Sequence, residues 1–364
     1  MKIVIRADAS IKMGSGHVMR CLTLAESLRE KVASIIFISR KHEGNLNQLI
    51  IEKGLEVIEL KQPKTDNNYS NKNEDIYKDW LGVNVEEDAE DTIKAIGDVK
   101  PDWLIIDHYS LGEKWEKELR PYVNNIFVID DLANRKHDCN ILVDQNWFEN
   151  MNTRYDELVP IDCTKLLGPK FALLRPEFAE ARKSLTPRNE TIKRVFVFFG
   201  GSDPKNLTAM TLRALSTPKL AHLQVDVVIG ANNPHQEEIS KMAKAIENVN
   251  LHIQVNNMAT IMAKADLAIG GGGVNTWERL CLNIFSLVIT IANNQINVIK
   301  DLNNYKYLIF LGNYKKINQI NLGAQIGNYI YNVDKNNKNT MLVDGLGASR
   351  IENILSRWEN NLGE

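Results

Sequence analysis

The residue types best suited to chemistry near the start of the chain are Gly14, Gly16 and His17. They follow an apolar run at 3–5 and precede leucines at helical spacing, which predicts a strand, a glycine loop and a helix start. Glycine lets a backbone approach a ligand, and the first N–H groups of a helix attract anions. Histidine there suits a general base or a phosphate contact. A plain glycine turn with an exposed histidine is the alternative.

This loop does not match the common nucleotide-binding fingerprints. It lacks the third glycine of the dinucleotide motif and the Gly-Lys-Ser/Thr of a P-loop. The sequence therefore indicates neither NAD nor ATP, and we expect no cofactor and no metal.

Three predicted strands of the first half end in polar side chains. These endings are Asp107, His108 and Tyr109; then Asp130 and Asp131; then Asp144, Gln145 and Asn146. Ligands of open α/β sheets bind at the carboxyl ends of strands, so we expect the three endings to meet at one edge. For Asp130 and Asp131, capping of the following turn explains the carboxylates equally well.

Two further glycine turns follow predicted strands in the second half, at 200–202 and 270–273. Both suit backbone contact with phosphate, and a plain turn is the alternative for the first. At 270–273 we expect the backbone to need positive φ or close approach to a ligand. Glu278, in the helix that follows, fits the two hydroxyls of a ribose, or else stabilises the helix dipole. The amides at 294–295 suit sugar hydroxyl and acetamido groups.

These segments require a scaffold of alternating strands and helices, which predicts an α/β fold. We expect an N-terminal Rossmann-like domain at 1–165, a linker at 166–191 and a C-terminal Rossmann-like domain at 192–364. The last predicted helix, from Gly345 to Trp358, is expected to pack back on the first domain. The polar stretch 61–79 predicts a solvated loop and suggests a lid.

Composition excludes several classes of function. At 364 residues the chain has room for two domains, and its net charge of −2 gives no general attraction to nucleic acid or to an anionic membrane. The four cysteines form no Cys-x-x-Cys pair, and no apolar run is long enough for a signal peptide or a membrane span. We therefore expect a cytoplasmic protein. No interface pattern stands out, so the oligomeric state stays open, with a monomer allowed.

The ordered set of motifs resembles a known enzyme family. Beside the segments 6–20, 200–204 and 270–278, it includes Trp80-Leu-Gly-Val, Asp130-Asp-Leu-Ala, His137-Asp-Cys-Asn, Asp144-Gln-Asn and Gly168-Pro-Lys-Phe. The chain resembles the hydrolases of pseudaminic acid biosynthesis, which cleave UDP-2,4-diacetamido-2,4,6-trideoxy-β-L-altropyranose. These are similar to the GT-B glycosyltransferases that add N-acetylglucosamine to peptidoglycan lipid precursors.

The resemblance implies a GT-B fold, with two Rossmann-like domains facing across a cleft and UDP held mainly by the second. It implies that His17 is the catalytic base, that Glu278 holds the ribose, and that Asn294, Gln295 and Tyr109 lie on the sugar side. We count His17, Asn294 and Tyr109 as catalytic. The substrate-binding assignments are Asp8, Gly14, Gly16, Arg20, Asp107, Gly200, Gly201, Ser202, Gly272, Gly273, Asn275, Thr276, Glu278 and Gln295.

The expected reaction is inverting attack of water at C1, without a metal. UDP is a good leaving group once N–H dipoles neutralise its charge, so a single base suffices. Two alternatives remain from the sequence. One is a glycosyltransferase with the same fold and UDP site, and the other is a nucleotide-sugar-binding protein without catalysis.

Overall fold

The computed structural model describes residues 1–63, 77–186, 188, 191–332 and 342–358. Within these residues the chain forms two compact units. Unit 1 comprises Met1–Asn146, Asn150–Leu173 and a last segment that starts at Leu346. Unit 2 comprises Trp147–Glu149 and Leu174–Gly345. Most of the suggested lid, residues 64–76, lies outside the described residues.

Unit 1 is built on a parallel sheet. Its strands in the described residues are β1 Lys2–Ala7, β2 Ser34–Arg40, β3 Glu56–Leu60, β4 Trp103–Asp107, β5 Asn125–Ile129, β6 Ile141–Asp144 and β7 Thr164–Leu167, in the spatial order β3-β2-β1-β4-β5-β6-β7. The helices between them are α1 Gly16–Leu28, α2 Asn47–Glu52, α3 Val85–Ile96 and α4 Glu113–Leu119. The predicted α/β class is confirmed for this half.

Helices cover both faces of the unit 1 sheet, which explains why its strands are apolar throughout. Successive side chains of β1 point to opposite faces. Ile3 and Ile5 enter the core that contains α1, and Val4 enters the core of α3 and α4. All three side chains are buried.

Unit 2 has a second parallel sheet. Its described strands are β8 Arg194–Phe198, β9 Gln224–Ile229, β10 Val249–Ile253, β11 Leu267–Gly271, β12 Phe285–Thr290 and β13 Ile309–Asn313, in the order β10-β9-β8-β11-β12-β13. Its helices are α5 Pro176–Lys183, α6 Leu207–Leu215, α7 Gln236–Ala245, α8 Met258–Ala263, α9 Asn275–Cys281, α10 Asn294–Asn304 and α11 Gln319–Asn332. The chain thus holds two Rossmann-like domains.

The stretch 166–191, expected to be a linker, carries secondary structure on both sides of the boundary at Leu173 and Leu174. It includes the end of β7, and its helix α5 packs on α8 and α9 in unit 2. The last helix, α12 (Gly347–Trp358), packs on α1 in unit 1. Among the described residues, no helix combines the length and apolar character that crossing a lipid bilayer requires.

The polar strand endings of unit 1 meet as expected. Strand β4 pairs with β5, and β5 pairs with β6, all in parallel. Asp107 and Asp144 are the last residues of β4 and β6, and Asp130 directly follows β5. Because neighbouring parallel strands end at the same edge, these carboxylates lie in a row next to the start of α1.

Candidate active site

The glycine loop after β1 leads into α1 with open space beside its backbone. Gly14 has φ +78, a conformation that L side chains rarely adopt. A Cβ added at Gly14 or at Gly16 would meet no atom within 4 Å. Ser15, which precedes α1, makes no side-chain hydrogen bond to the helix start. The loop therefore has the geometry expected for backbone contact with a ligand.

His17, in the first turn of α1, forms a pair with Asp107 at the end of β4. The imidazole Nδ1 lies 2.6 Å from Asp107 Oδ1, and the two side chains are 6% and 0% exposed. Burial acts to raise the pKa of the Asp107 carboxyl, but Arg20 and His17 outweigh it and hold this pKa well below its usual range. The ionised carboxylate accepts the Nδ1–H of His17, which leaves Nε2 as the imidazole atom that can take a proton.

Arg20, one turn farther along α1, fixes the same carboxylate from its other side. Its Nε donates to Asp107 Oδ2 at 2.5 Å, and its Nη2 donates to Asp107 Oδ1 at 2.6 Å. Its Nη1 also donates to Asp131 Oδ2 at 3.0 Å. Arg20 and Asp107, assigned to substrate binding from the sequence, are thus occupied with each other. Arg20 fixes the Asp107 carboxylate, and that carboxylate contacts the His17 imidazole.

Asp8, also assigned to substrate binding, is fully buried. Arg6 donates to its two carboxylate oxygens at 2.5 and 2.9 Å, and the backbone N–H of Arg40 donates at 2.7 Å. No carboxylate surface remains for a ligand. Asp8 therefore belongs to a buried charge network that also includes Asp88, to which Arg6 and Arg40 both donate.

Tyr109 packs directly against His17. The ring centroids are 4.5 Å apart with an interplanar angle of 85°, an edge-to-face contact. The tyrosine is 6% exposed, and burial together with the Asp131 carboxylate raises its pKa well above the usual value. The structure therefore brings Tyr109 to the predicted base, as a neighbour that orients the ring.

The glycine turn after β8 leads to the start of α6, where a side chain of the protein already accepts hydrogen bonds from backbone N–H groups. Gly200 has φ +96. Asp203 accepts from the N–H groups of Leu207 at 3.1 Å and Thr208 at 2.8 Å, at the beginning of α6. These two donors are therefore satisfied by a carboxylate of the protein, which leaves the turn at 200–202 as the segment that can make the expected contact with phosphate. The segment 200–202 itself remains on the surface.

Gly270 and Gly272 are explained by close approach within unit 2, and the expectation of positive φ at 270–273 was wrong. None of the glycines at 270–273 has positive φ. A Cβ at Gly270 would lie 2.4 Å from the carbonyl oxygen of Phe198, and one at Gly272 would lie 2.8 Å from Ile299 Cγ1. At Gly273 the nearest atom is Gln295 Nε2 at 3.7 Å, so space for a ligand exists at that position.

Glu278 lies in α9 with its carboxylate held from two sides. Its Oε2 accepts from the side-chain amide of Asn275, and its Oε1 lies 3.5 Å from Arg175 Nη2. Burial raises the pKa of Glu278, and the positive charge of Arg175 opposes this shift. Thr276, assigned to substrate binding, is 1% exposed and accepts from Arg279 at 3.1 Å. Its hydroxyl is therefore internal.

Asn294 and Gln295 open α10 beside the Gly-rich segment. Asn294 is exposed. The Oε1 of Gln295 accepts from the backbone N–H of Ile291 at 2.9 Å, which directs its side chain along Gly272 and Gly273. Unit 2 thus gathers Gly273, Glu278 and these two amides at the carboxyl ends of β11 and β12.

Sequence reasoning missed two side chains that contact these groups. Arg175 approaches Glu278, and Trp80 lies 6.1 Å from His17 between ring centroids. Two aromatic residues, Tyr77 and Trp80, stand close together at the end of a polar stretch, and this pattern could have indicated that Trp80 belongs to the site. In the described part of the chain, no three His, Cys, Asp or Glu side chains are arranged to hold a metal ion.

Comparison with known proteins gives distant relatives. No protein-family model matches the chain. An uncharacterized protein of Methanocaldococcus jannaschii is 30% identical over 313 residues, which are 81% of this chain and 56% of that protein. The chain therefore spans little more than half of that relative's length.

Two other relatives match over most of their length. The UDP-2,4-diacetamido-2,4,6-trideoxy-β-L-altropyranose hydrolase of Campylobacter jejuni is 27% identical over 295 residues, covering 81% of this chain and 93% of that protein. The spore coat polysaccharide biosynthesis protein SpsG of Bacillus subtilis is 26% identical over 372 aligned positions, covering 98% of both chains.

Solved structures agree on the fold. MurG of Acinetobacter baumannii has a TM-score of 0.64 with 12% identity, covering 98% of this chain and 99% of its own. A UDP-GlcNAc 2-epimerase of Neisseria meningitidis has a TM-score of 0.58 with 12% identity, covering 99% and 100%. The chain is a distant homologue of the Campylobacter jejuni hydrolase and of SpsG, and it has the GT-B fold.

Proposed function

We propose that this chain hydrolyses UDP-2,4-diacetamido-2,4,6-trideoxy-β-L-altropyranose to UDP and the free sugar. The observation that carries the proposal is the His17–Asp107 pair, at 2.6 Å, next to a glycine backbone with open space. The similarity to the Campylobacter jejuni hydrolase, 27% over 295 residues, supplies the substrate. The same reaction would make the chain an enzyme of pseudaminic acid biosynthesis.

In the proposed reaction, Asp107 keeps the proton of His17 on Nδ1, so that Nε2 removes a proton from water. The water oxygen forms a bond to C1 of the sugar on the face opposite UDP. The C1–O bond breaks and its electron pair leaves with the diphosphate, so the configuration at C1 inverts. Asp107 stays ionised and stabilises the imidazolium that forms.

The leaving group needs no proton from a side chain. The diphosphate spreads its new charge over several oxygens, and backbone N–H groups neutralise part of that charge. Ordinary glycosidases use a carboxylic acid for this task beside a second carboxylate. A single histidine base therefore suffices here, and we assign no metal to the reaction.

Within unit 2, we assign the ribose hydroxyls to Glu278 and the sugar side to Asn294 and Gln295. Asn275 and Arg175 hold the Glu278 carboxylate in one orientation, so that both oxygens can accept from adjacent hydroxyl groups. The backbone of Gly200–Ser202, in which Gly201 and Ser202 are exposed, and that of Gly273 remain as candidate contacts to the diphosphate.

Replacing Glu278 with glutamine is expected to raise KM about tenfold and to leave kcat nearly unchanged. The variant loses one charge-assisted hydrogen bond to the ribose, which contributes about 1.5 kcal/mol. Because the ribose does not react, this interaction is equal in the ground state and the transition state. Steady-state kinetics of both proteins measure the effect.

Glu177→Gln is the matched control, because Glu177 also pairs with Arg175, at 2.9 Å, but has no assigned contact with substrate. We expect its KM to stay within about twofold of the native value. Equal KM changes in the two variants, or a fall in kcat alone for Glu278→Gln, would contradict the assignment of Glu278.

The test of the function is ¹H and ³¹P NMR of the purified protein with the nucleotide sugar, with and without EDTA. We expect UDP and the free sugar to appear at the same rate in both samples. If the substrate persists, acceptor alcohols are added next. Turnover only with an acceptor would assign the protein as a glycosyltransferase, and binding without any turnover would assign it as a nucleotide-sugar-binding protein.

A further inference from the structure

Three aromatic side chains of unit 1 form a cluster against His17. We call Tyr77, Trp80 and Tyr109 the aromatic cluster. Trp80 stacks on Tyr109 with ring centroids 5.5 Å apart and an interplanar angle of 24°. Tyr77 meets Trp80 at 4.8 Å and Tyr109 at 4.9 Å, both at steep angles. Each ring touches the other two, so the cluster has a fixed geometry beside the proposed base.

The turn that carries Tyr77 and Trp80 is itself anchored. The backbone N–H of Trp80 donates to the carbonyl oxygen of Tyr77 at 3.0 Å. That same carbonyl accepts from the hydroxyl of Ser110, which lies just beyond β4. The turn is therefore tied to the strand end that supplies Asp107 and Tyr109.

Within the aromatic cluster, Tyr109 is buried, whereas Tyr77 and Trp80 are half-buried and so keep part of their surface open. The charged groups nearest His17 are bound to one another, as Arg20 bridges Asp107 and Asp131. Beside the backbone of the glycine loop, the rings packed around His17 therefore add an aromatic surface that a ligand can contact.

Aromatic faces bind C–H groups and methyl groups better than they bind hydroxyl groups. The proposed substrate differs from common UDP-hexoses in having two acetamido methyl groups and a methyl group at C6. We propose that Trp80, supported by Tyr77, contacts these apolar substituents and selects sugars that carry them. This inference rests on the proposed function, and it assigns Trp80 as a specificity-determining residue.

The expected consequence is a change in selectivity. A methyl group that loses its apolar partner lowers kcat/KM by about 10- to 200-fold. Trp80→Leu should therefore reduce kcat/KM for the diacetamido-trideoxy substrate by at least about tenfold. It should change any kcat/KM for UDP-glucose, which has neither an acetamido group nor a methyl group at C6, by less than about twofold. Trp80→Phe keeps an aromatic face and should retain most of the selectivity.

The contact is tested by saturation-transfer NMR, which does not require turnover. Aromatic protons are irradiated in His17→Ala protein bound to the nucleotide sugar, or in native protein if no hydrolysis occurs. We expect strong transfer to the acetyl and C6 methyl signals. Most of this transfer should disappear with Trp80→Leu and persist with Trp80→Phe. Thermal unfolding confirms that each variant is folded.

The result separates the two proposals. Methyl transfer that depends on Trp80 without hydrolysis would reject the hydrolase and retain the aromatic contact. Hydrolysis with methyl transfer that is absent, or unchanged in Trp80→Leu, would retain the hydrolase and overturn the role of Trp80. A kcat/KM ratio between the two substrates that is equal in native protein and Trp80→Leu would overturn it as well.

Discussion

His17→Ala is expected to lower kcat by about 10²- to 10⁴-fold, the range that a positioned general base contributes. Asp107 cannot replace the missing base, because it is buried beneath the imidazole and already binds Arg20. The variant keeps the glycine backbone and all of unit 2. We therefore expect UDP affinity, measured by calorimetry, to change by less than about threefold.

Rescue by a small base gives a sharper test of this role. Added imidazole should restore part of the activity of His17→Ala and should have no effect on the native enzyme. A kcat within about threefold of the native value would reject His17 as the base, since a merely structural histidine would affect stability more than turnover.

Asp107→Asn is expected to reduce kcat by a comparable factor, about 10²- to 10⁴-fold. The asparagine amide can donate to Nδ1 of His17, which moves the imidazole proton to Nε2 and removes the basic atom. The variant also leaves the buried Arg20 with one partner fewer, so its free energy of unfolding should fall by about 3 kcal/mol. Activity is therefore measured well below the unfolding temperature.

Asp131→Asn is the matched control for Asp107→Asn. Asp131 also binds Arg20, at 3.0 Å, but makes no hydrogen bond to His17. We expect a loss of stability with a loss of kcat below about tenfold. If the two variants lose the same share of kcat, the loss in Asp107→Asn comes from the disturbed Arg20. The proposal that Asp107 keeps the His17 proton on Nδ1 would then be wrong.

Much of the fold follows from hydrophobic pattern. Continuous apolar runs predicted β4, β5 and β8, because parallel strands are covered on both faces. The apolar residues of α6, Leu207–Leu215, recur at the helical spacing that identifies an amphipathic helix. Strand β13 was missed, since Ile309–Asn313 lies in an Asn-rich region whose apolar residues are few. There the pairing with β12 determines the structure more than local sequence does.

The sequence predicted that His17 and Asp107 lie near each other, but not how the charged side chains around them pair. The glycine loop and the strand endings indicated where His17 and Asp107 lie. Composition and spacing do not reveal which polar side chains neutralise one another, so Arg20 and Asp8 were assigned to the substrate. A buried charge without a partner destabilises the folded protein by several kcal/mol. In the structure, Asp8 is therefore paired with Arg6, and Arg20 is paired with Asp107.

Hydrolysis in ¹⁸O-labelled water tests the central claim most directly. The claim is that water attacks C1 of the sugar with His17 as the base. Mass spectrometry of the products after a short reaction should find the label in the anomeric hydroxyl of the sugar and none in UDP. A sample of the free sugar kept in the same labelled water without enzyme corrects for exchange at the anomeric carbon. Label in the phosphate of UDP would mean that the P–O bond breaks, and it would contradict the proposed mechanism.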